Sequence, residues 1–127
     1  MTPSRLLLWL TLLALVLVVP ACMDTRALRD ELSAEYGRAY VGFTTQERDA
    51  MEVIFLASPF VERSDAERRT TARKVAEHVR DHYERYKTLN KVIVQFTPRK
   101  EITPDMSMDD AAARYTFTRA ELGPPQP

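Results

Sequence analysis

The sequence predicts a small α+β domain of two layers: an antiparallel sheet of about four strands in two hairpins, a long amphipathic helix packed on one face, and a short N-terminal helix. Three observations carry that prediction. Between residues 65 and 86, apolar side chains recur at helical spacing. Residues 91–97 and 114–118 alternate with period two instead, and are rich in β-branched and aromatic side chains. Residues 39–43 and 52–57 form a further pair of short apolar runs around a polar stretch at 44–49, the pattern of a hairpin.

The first element is a helix over residues 24–36. Leu28, Leu32 and Tyr36 share one side of it, and Gly37 is its stop, since glycine enters the left-handed region without a Cβ clash. The next stretch has two readings. Thr44 and Glu47 match a capping box that would start a helix over 45–56. The contiguous Val53-Ile54-Phe55 favours a strand, because such side chains lose rotamer freedom in a helix and fit a pleated surface. The strand is the better match.

The long helix opens at Ser64, where Ser64 and Glu67 make an S-x-x-E capping box. Ala72, Val75, Ala76, Val79, Tyr83 and Tyr86 form its apolar stripe, and Arg69, Arg73, Glu77, Arg80, Glu84 and Lys87 its wet side. Asp81 and Arg85 stand at i, i+4, an ion pair worth only ~0.2–0.5 kcal/mol. In the last two strands, Val92, Val94, Phe96, Tyr115 and Phe117 alternate with Ile93, Gln95, Arg114, Thr116 and Thr118. The expected core therefore sets Val75, Val79 and Tyr83 against Val92, Val94, Phe96, Tyr115 and Phe117, with Val53 or Ile54 from the first hairpin. Residues 98–110 make a long connection, a length that is often functional. Gly123 opens a tail, 123–127, whose prolines Pro124, Pro125 and Pro127 bar helix and sheet interior, so it is expected to be unstructured.

Charge bounds the partners. The chain has 18 Lys/Arg against 18 Asp/Glu, and residues 1–21 carry one of the former and none of the latter. That balance leaves no electrostatic footprint for nucleic acid. No repeat of fixed period is present. The organisation is a leader at 1–21, one domain at 22–122 and the tail at 123–127.

The leader is the most specific signal in the chain. Arg5 supplies a basic start, residues 6–19 are apolar apart from Thr11, and Val19-Pro20-Ala21-Cys22 closes the run. About 14 residues at ~1.5 Å rise give ~21 Å of helix, short of the ~30 Å hydrocarbon core. The order of charge, apolar run, small residue and cysteine resembles the signal peptide and lipobox of bacterial lipoproteins. The resemblance implies a diacylglyceryl group on the Cys22 thiol, cleavage just before it, and a membrane partner reached through that lipid. It further implies the outer membrane of a Gram-negative host, because Met23 stands where inner-membrane retention is associated with aspartate. The same Val-x-Ala also fits ordinary secretory cleavage, which would leave a soluble protein with a free thiol, and an uncleaved anchor is the third outcome. Cys22 is the chain's one cysteine. In an exported, disulfide-permissive setting an unpaired thiol is a liability that acylation removes.

Elsewhere the chemistry is sparse. His78 and His82, the only histidines, stand one helical turn apart, and imidazoles at that spacing are able to share a metal. Val79 and Arg80 fill the place of H-E-x-x-H, however, and only two donors are visible where a structural site needs four. The expectation is therefore boundary histidines packing beside the sheet, with no metal and no cofactor. Ser33, Ser58, Ser64 and Ser107 lack a nucleophile-elbow setting, and Ser64 already caps a helix. Asp105, Asp109 and Asp110 do not have EF-hand spacing and read as a solvated loop. Arg99-Lys100 is too small a patch for phosphate. Of the tyrosines, Tyr83, Tyr86 and Tyr115 fall on apolar faces and read as core; Tyr36 and Tyr40 join them as candidates for an interface.

With no nucleophile–base–orienter set, the residues point to a non-catalytic, lipid-anchored binding or assembly module of the cell envelope, its protein partner unspecified. The alternative is a hydrolytic or metal-dependent envelope enzyme that uses His78 and His82.

Overall fold

The computed structural model describes residues 24–44, 49–101 and 113–126. In chain order the elements are helix α1 (Thr25–Tyr36), strands β1 (Ala39–Phe43) and β2 (Ala50–Phe55), helix α2 (Asp65–His82), strands β3 (Lys91–Phe96) and β4 (Ala113–Thr118), and a final turn of helix α3 (Arg119–Leu122). Short 3₁₀ turns at Pro59–Glu62 and Tyr86–Thr88 flank α2. This is an α+β domain with a four-stranded sheet in the order β1-β2-β3-β4.

Side-chain chemistry sets the helix ends. The Asp24 carboxylate accepts the Ala27 N–H at 2.8 Å to start α1, and Gly37, at φ 104°, ends it with its N–H on the Ser33 carbonyl at 3.1 Å. Ser64 Oγ accepts from the Glu67 N–H at 3.2 Å, the first half of the expected box. The Glu67 carboxylate turns outward instead, to Arg63 at 3.4 Å. Helix α2 stops at His82 rather than 86, because Tyr83 takes an extended backbone with its N–H on the Val79 carbonyl at 2.8 Å. That break lets Tyr83 and Tyr86 both turn into the core, 8% and 3% exposed. Arg85 thereby leaves the helix, so the expected pairing with Asp81 gives way to an Arg80–Asp81 contact at 2.8 Å.

The sheet is mixed where the sequence reading had it wholly antiparallel. The two hairpins pair antiparallel as expected, Val41 opposite Val53 and Val94 opposite Tyr115. Between them β2 and β3 run parallel, Val53 beside Val94 and Phe55 beside Phe96. The cause is the connection: α2 carries the chain back along the sheet before β3 begins, and a crossover of that kind delivers a parallel neighbour. Parallel central strands are buried on both faces. Accordingly β2 and β3 are buried along nearly their whole length, whereas the edge strands are more open: β1 is buried only at Ala39, and β4 alternates from Tyr115 to Thr118.

One face holds the core. Leu28 and Leu32 of α1 and Ala72, Val75, Ala76 and Val79 of α2 pack with Met51, Val53 and Phe55, Val92, Val94 and Phe96, and Tyr115 and Phe117. Val53 is the first hairpin's contribution, and Ile54 points to the opposite face, as period two requires. The Tyr115 hydroxyl ties β4 to the first turn of α2, donating to Asp65 Oδ1 at 2.8 Å and accepting from Arg68 Nε at 3.2 Å. On the other face the Gln95 amide donates to the Glu52 carboxylate.

Arg80 and the C-terminal tail depart from their expected setting. Arg80, placed by spacing on the wet side, is only 9% exposed, because α3 and the chain after it lie over that part of α2. Its Nη1 donates to the Leu122 carbonyl at 2.6 Å, and its Nε to Asp81 Oδ1 at 2.8 Å. The tail, read as unstructured from its prolines, is tied down through residues 123–126. The Gly123 carbonyl accepts from the Tyr86 hydroxyl at 3.3 Å, and the Gln126 N–H donates to Asp81 Oδ1 at 2.8 Å. Proline bars a ladder, but carbonyls and the occasional N–H still reach side chains. Arg80 holds the Asp81 carboxyl below the usual carboxylate range, which keeps this latch charged.

Burial raises the Tyr36, Tyr83 and Tyr86 hydroxyls above their ordinary value near 10, with Glu35 adding to the rise at Tyr36. A raised folded-state value favours the protonated form, so this contribution to stability is complete below about pH 10 and falls as pH rises toward the folded values. Spectrophotometric titration should show these three tyrosines ionising late and together with loss of the near-UV circular dichroism. Ionisation of all five tyrosines near pH 10 with the fold intact would contradict the packing described here.

Candidate functional site

His78 and His82 sit one turn apart on α2, on the flank of the stripe that buries Val75 and Val79. The same sheet face seats α1 through Leu28 and Leu32, which brings Glu31 beside that flank. Glu31 Oε1 stands 3.0 Å from His78 Nε2, and the two imidazole rings are 4.3 Å apart at 30°. Despite that 3.0 Å approach, the angles do not make a hydrogen bond. His78 Nε2 and His82 Nδ1 are enclosed by the protein with no hydrogen-bond partner. A buried polar atom left in that state costs about 1–3 kcal/mol, so two at one place need a physical reason.

Electrostatics sharpen the picture. Burial lowers the pKa of His78, neighbouring His82 lowers it further, and Glu31, Glu35 and Asp81 pull weakly the other way. The ring is therefore neutral at neutral pH, with a lone pair to offer. One donor atom from each of Glu31, His78 and His82 falls within a 4.8 Å set. Access is retained, since the Glu31 side chain is 38% exposed and that of His78 16%.

The remaining sequence candidates separate from this cluster. Ser33, Ser58 and Ser64 each accept a backbone N–H, from Ala39 at 3.1 Å, Phe60 at 3.2 Å and Glu67 at 3.2 Å, which makes them structural acceptors. Arg99 and Lys100 contribute their carbonyls, to the Ala57 N–H at 2.7 Å and to Arg38 Nη1 at 3.3 Å. Tyr83, Tyr86 and Tyr115 are core residues; Tyr40 and Phe43, on edge strand β1, are 40% and 43% exposed. Cys22, Ser107, Asp105, Asp109 and Asp110 lie outside the described residues, as does most of the 98–110 connection. An open cleft of about 710 Å³ between the Tyr86–Thr88 turn and α3 is lined by Lys87, Asn90, Arg119 and Pro124, and holds no carboxylate or histidine.

Sequence reasoning missed Glu31. Its one signal is position: it flanks Leu32 on the side of α1 that meets α2, and only the helix pairing turns that position into a neighbour of His78. Comparison with family models, curated proteins and solved structures returns no match for this chain.

Proposed function

We propose that this chain is a lipid-anchored cell-envelope protein whose α+β domain is a non-catalytic binding or assembly module. The observation that carries the reading is the chain's one cysteine, Cys22, standing at the end of a basic, apolar and small-residue segment. The start of the domain supports it. Asp24, two residues after Cys22, is already the cap of α1, and the buried Leu28 and Leu32 make α1 part of the core. Two extended residues span at most ~7 Å, so a lipid on Cys22 holds the domain against the bilayer without a linker. Among the described residues no helix is long and apolar enough to cross a membrane, and the reading assigns membrane attachment to the lipid. A non-catalytic role fits Ser33, Ser58 and Ser64 occupied as backbone acceptors and a cleft lined by neither carboxylate nor histidine.

The test is metabolic labelling of the full chain with palmitate in a Gram-negative host, followed by mass analysis and a sucrose gradient. The expected outcome is a labelled product that lacks residues 1–21 and bands with the outer membrane. An unlabelled product, or one that retains residues 1–21, overturns the lipoprotein reading; banding with the inner membrane overturns the sorting.

A further inference from the structure

We propose that Glu31, His78 and His82 form a binding site for one divalent transition-metal ion of the zinc class, held between α1 and α2. The donor chemistry is the first reason. Two imidazole nitrogens and a carboxylate oxygen make a borderline set that suits Zn²⁺ and its neighbours over Mg²⁺ or Ca²⁺, which require oxygen donors. The second reason is the orphaned pair: His78 Nε2 and His82 Nδ1 are shut off from solvent and hydrogen-bond to nothing, and a cation is a partner that satisfies both at once. The third is the 3.0 Å approach of Glu31 Oε1 to His78 Nε2, which sets a carboxylate oxygen beside a ring nitrogen that makes no hydrogen bond.

Geometry and field agree with that assignment. Donors on a tetrahedral ion at ~2.0–2.1 Å stand about 3.3 Å apart. Glu31 Oε1 and His78 Nε2, at 3.0 Å, already stand close to that spacing. The widest pair of a set that lies within 4.8 Å has to close by at most about 1.5 Å, within the reach of side-chain rotation. Glu35 from α1 and Asp81 from α2 add negative charge around the cluster, and Arg80 engages Asp81 beside it. Three protein donors would leave the fourth position of a four-coordinate ion to water. Because the ligands come from two helices, loading ties α1 to α2, and metal binding is coupled to folding.

The experiment uses the full chain, purified in detergent and stripped with chelator, with Zn²⁺ in calorimetry and Co²⁺ in visible absorption. The expected result is one equivalent of Zn²⁺, a four-coordinate Co²⁺ spectrum displaced by Zn²⁺, and a rise of several degrees in Tm at about 100-fold excess over Kd. His78→Ala and His82→Ala should each weaken binding by at least about 100-fold, and Glu31→Gln by at least about 10-fold. Glu31→Gln nearly preserves shape at a partly exposed side chain, so it reads the site even if a histidine variant is unstable. Cys22→Ser should bind as the unaltered chain does, which separates this proposal from the lipid anchor. No saturable uptake by about 100 μM Zn²⁺ overturns it. So does binding that survives Glu31→Gln unchanged, or that is lost in Cys22→Ser, since the ion would then sit elsewhere.

Discussion

Replacing Phe96 with alanine is expected to cost about 3–5 kcal/mol of folding free energy, the largest effect of any single core truncation in this domain. Phe96 is 0% exposed and stands at the centre of an aromatic cluster. Its ring stacks on Phe55 at 5.6 Å and 17°, meets Phe60 at 5.5 Å, and takes Tyr115 edge-on at 6.3 Å. Truncation therefore removes the transfer energy of the ring, leaves a cavity that β3 is too constrained to close, and breaks three ring contacts worth ~0.5–1.5 kcal/mol each at the upper end. A domain of this size has only ~5–15 kcal/mol to lose, so Tm should fall by well over 10 °C. Phe96→Leu should recover most of the loss, and Tyr40→Ala, on an exposed edge residue, should stay within about 0.5 kcal/mol. Chemical denaturation of the three variants checks the ranking. A loss below about 1 kcal/mol for Phe96→Ala would mean that the cluster is not packed as described.

Much of this fold is legible in the sequence because local rules and tertiary packing agree. Gly37 and Ser64 mark helix ends, and each uses the atoms the rules assign to it. The apolar run of β2 forms a strand despite the competing capping signal at Thr44, since a central strand buried on both faces suits the contiguous Val53-Ile54-Phe55. The direction of the central pair was less legible. It depends on a β-α-β connection, which the emphasis on two flanking hairpins obscured.

The residues that misled share a cause: a neighbour supplied by distant sequence. Arg80 has the spacing of a surface residue, and what covers it is α3, 42 positions away at Leu122. The tail has the composition of a free end, and what holds it is Asp81, 45 positions from Gln126. Glu31 reads as one of several acids on a short helix until α1 is docked beside α2. Periodicity reports which face of an element is apolar; it does not report which other element arrives at the border of that face. His78 and His82 are therefore visible from their spacing on one helix, whereas the approach of Glu31 from α1 is not.

Cys22→Ser is expected to abolish palmitate labelling and to leave the product unprocessed or in the soluble fraction. The effect is close to all-or-none because the serine hydroxyl offers no thiol for the lipid, and each methylene withheld from the bilayer forgoes ~0.8 kcal/mol of anchoring. The domain itself should be unaffected. Position 22 precedes the Asp24 cap, whose carboxylate holds the Ala27 N–H at 2.8 Å, and the core draws on α1 only from Leu28 onward. The purified variant should therefore unfold within about 0.5 kcal/mol of the unaltered chain. The two readouts together are what discriminate. Lost label with an unchanged melt assigns Cys22 to attachment alone, whereas a lowered melt assigns it to the fold. Equal membrane retention of both proteins, with no label on either, removes the lipoprotein reading and leaves the apolar segment at 6–19 as the anchor.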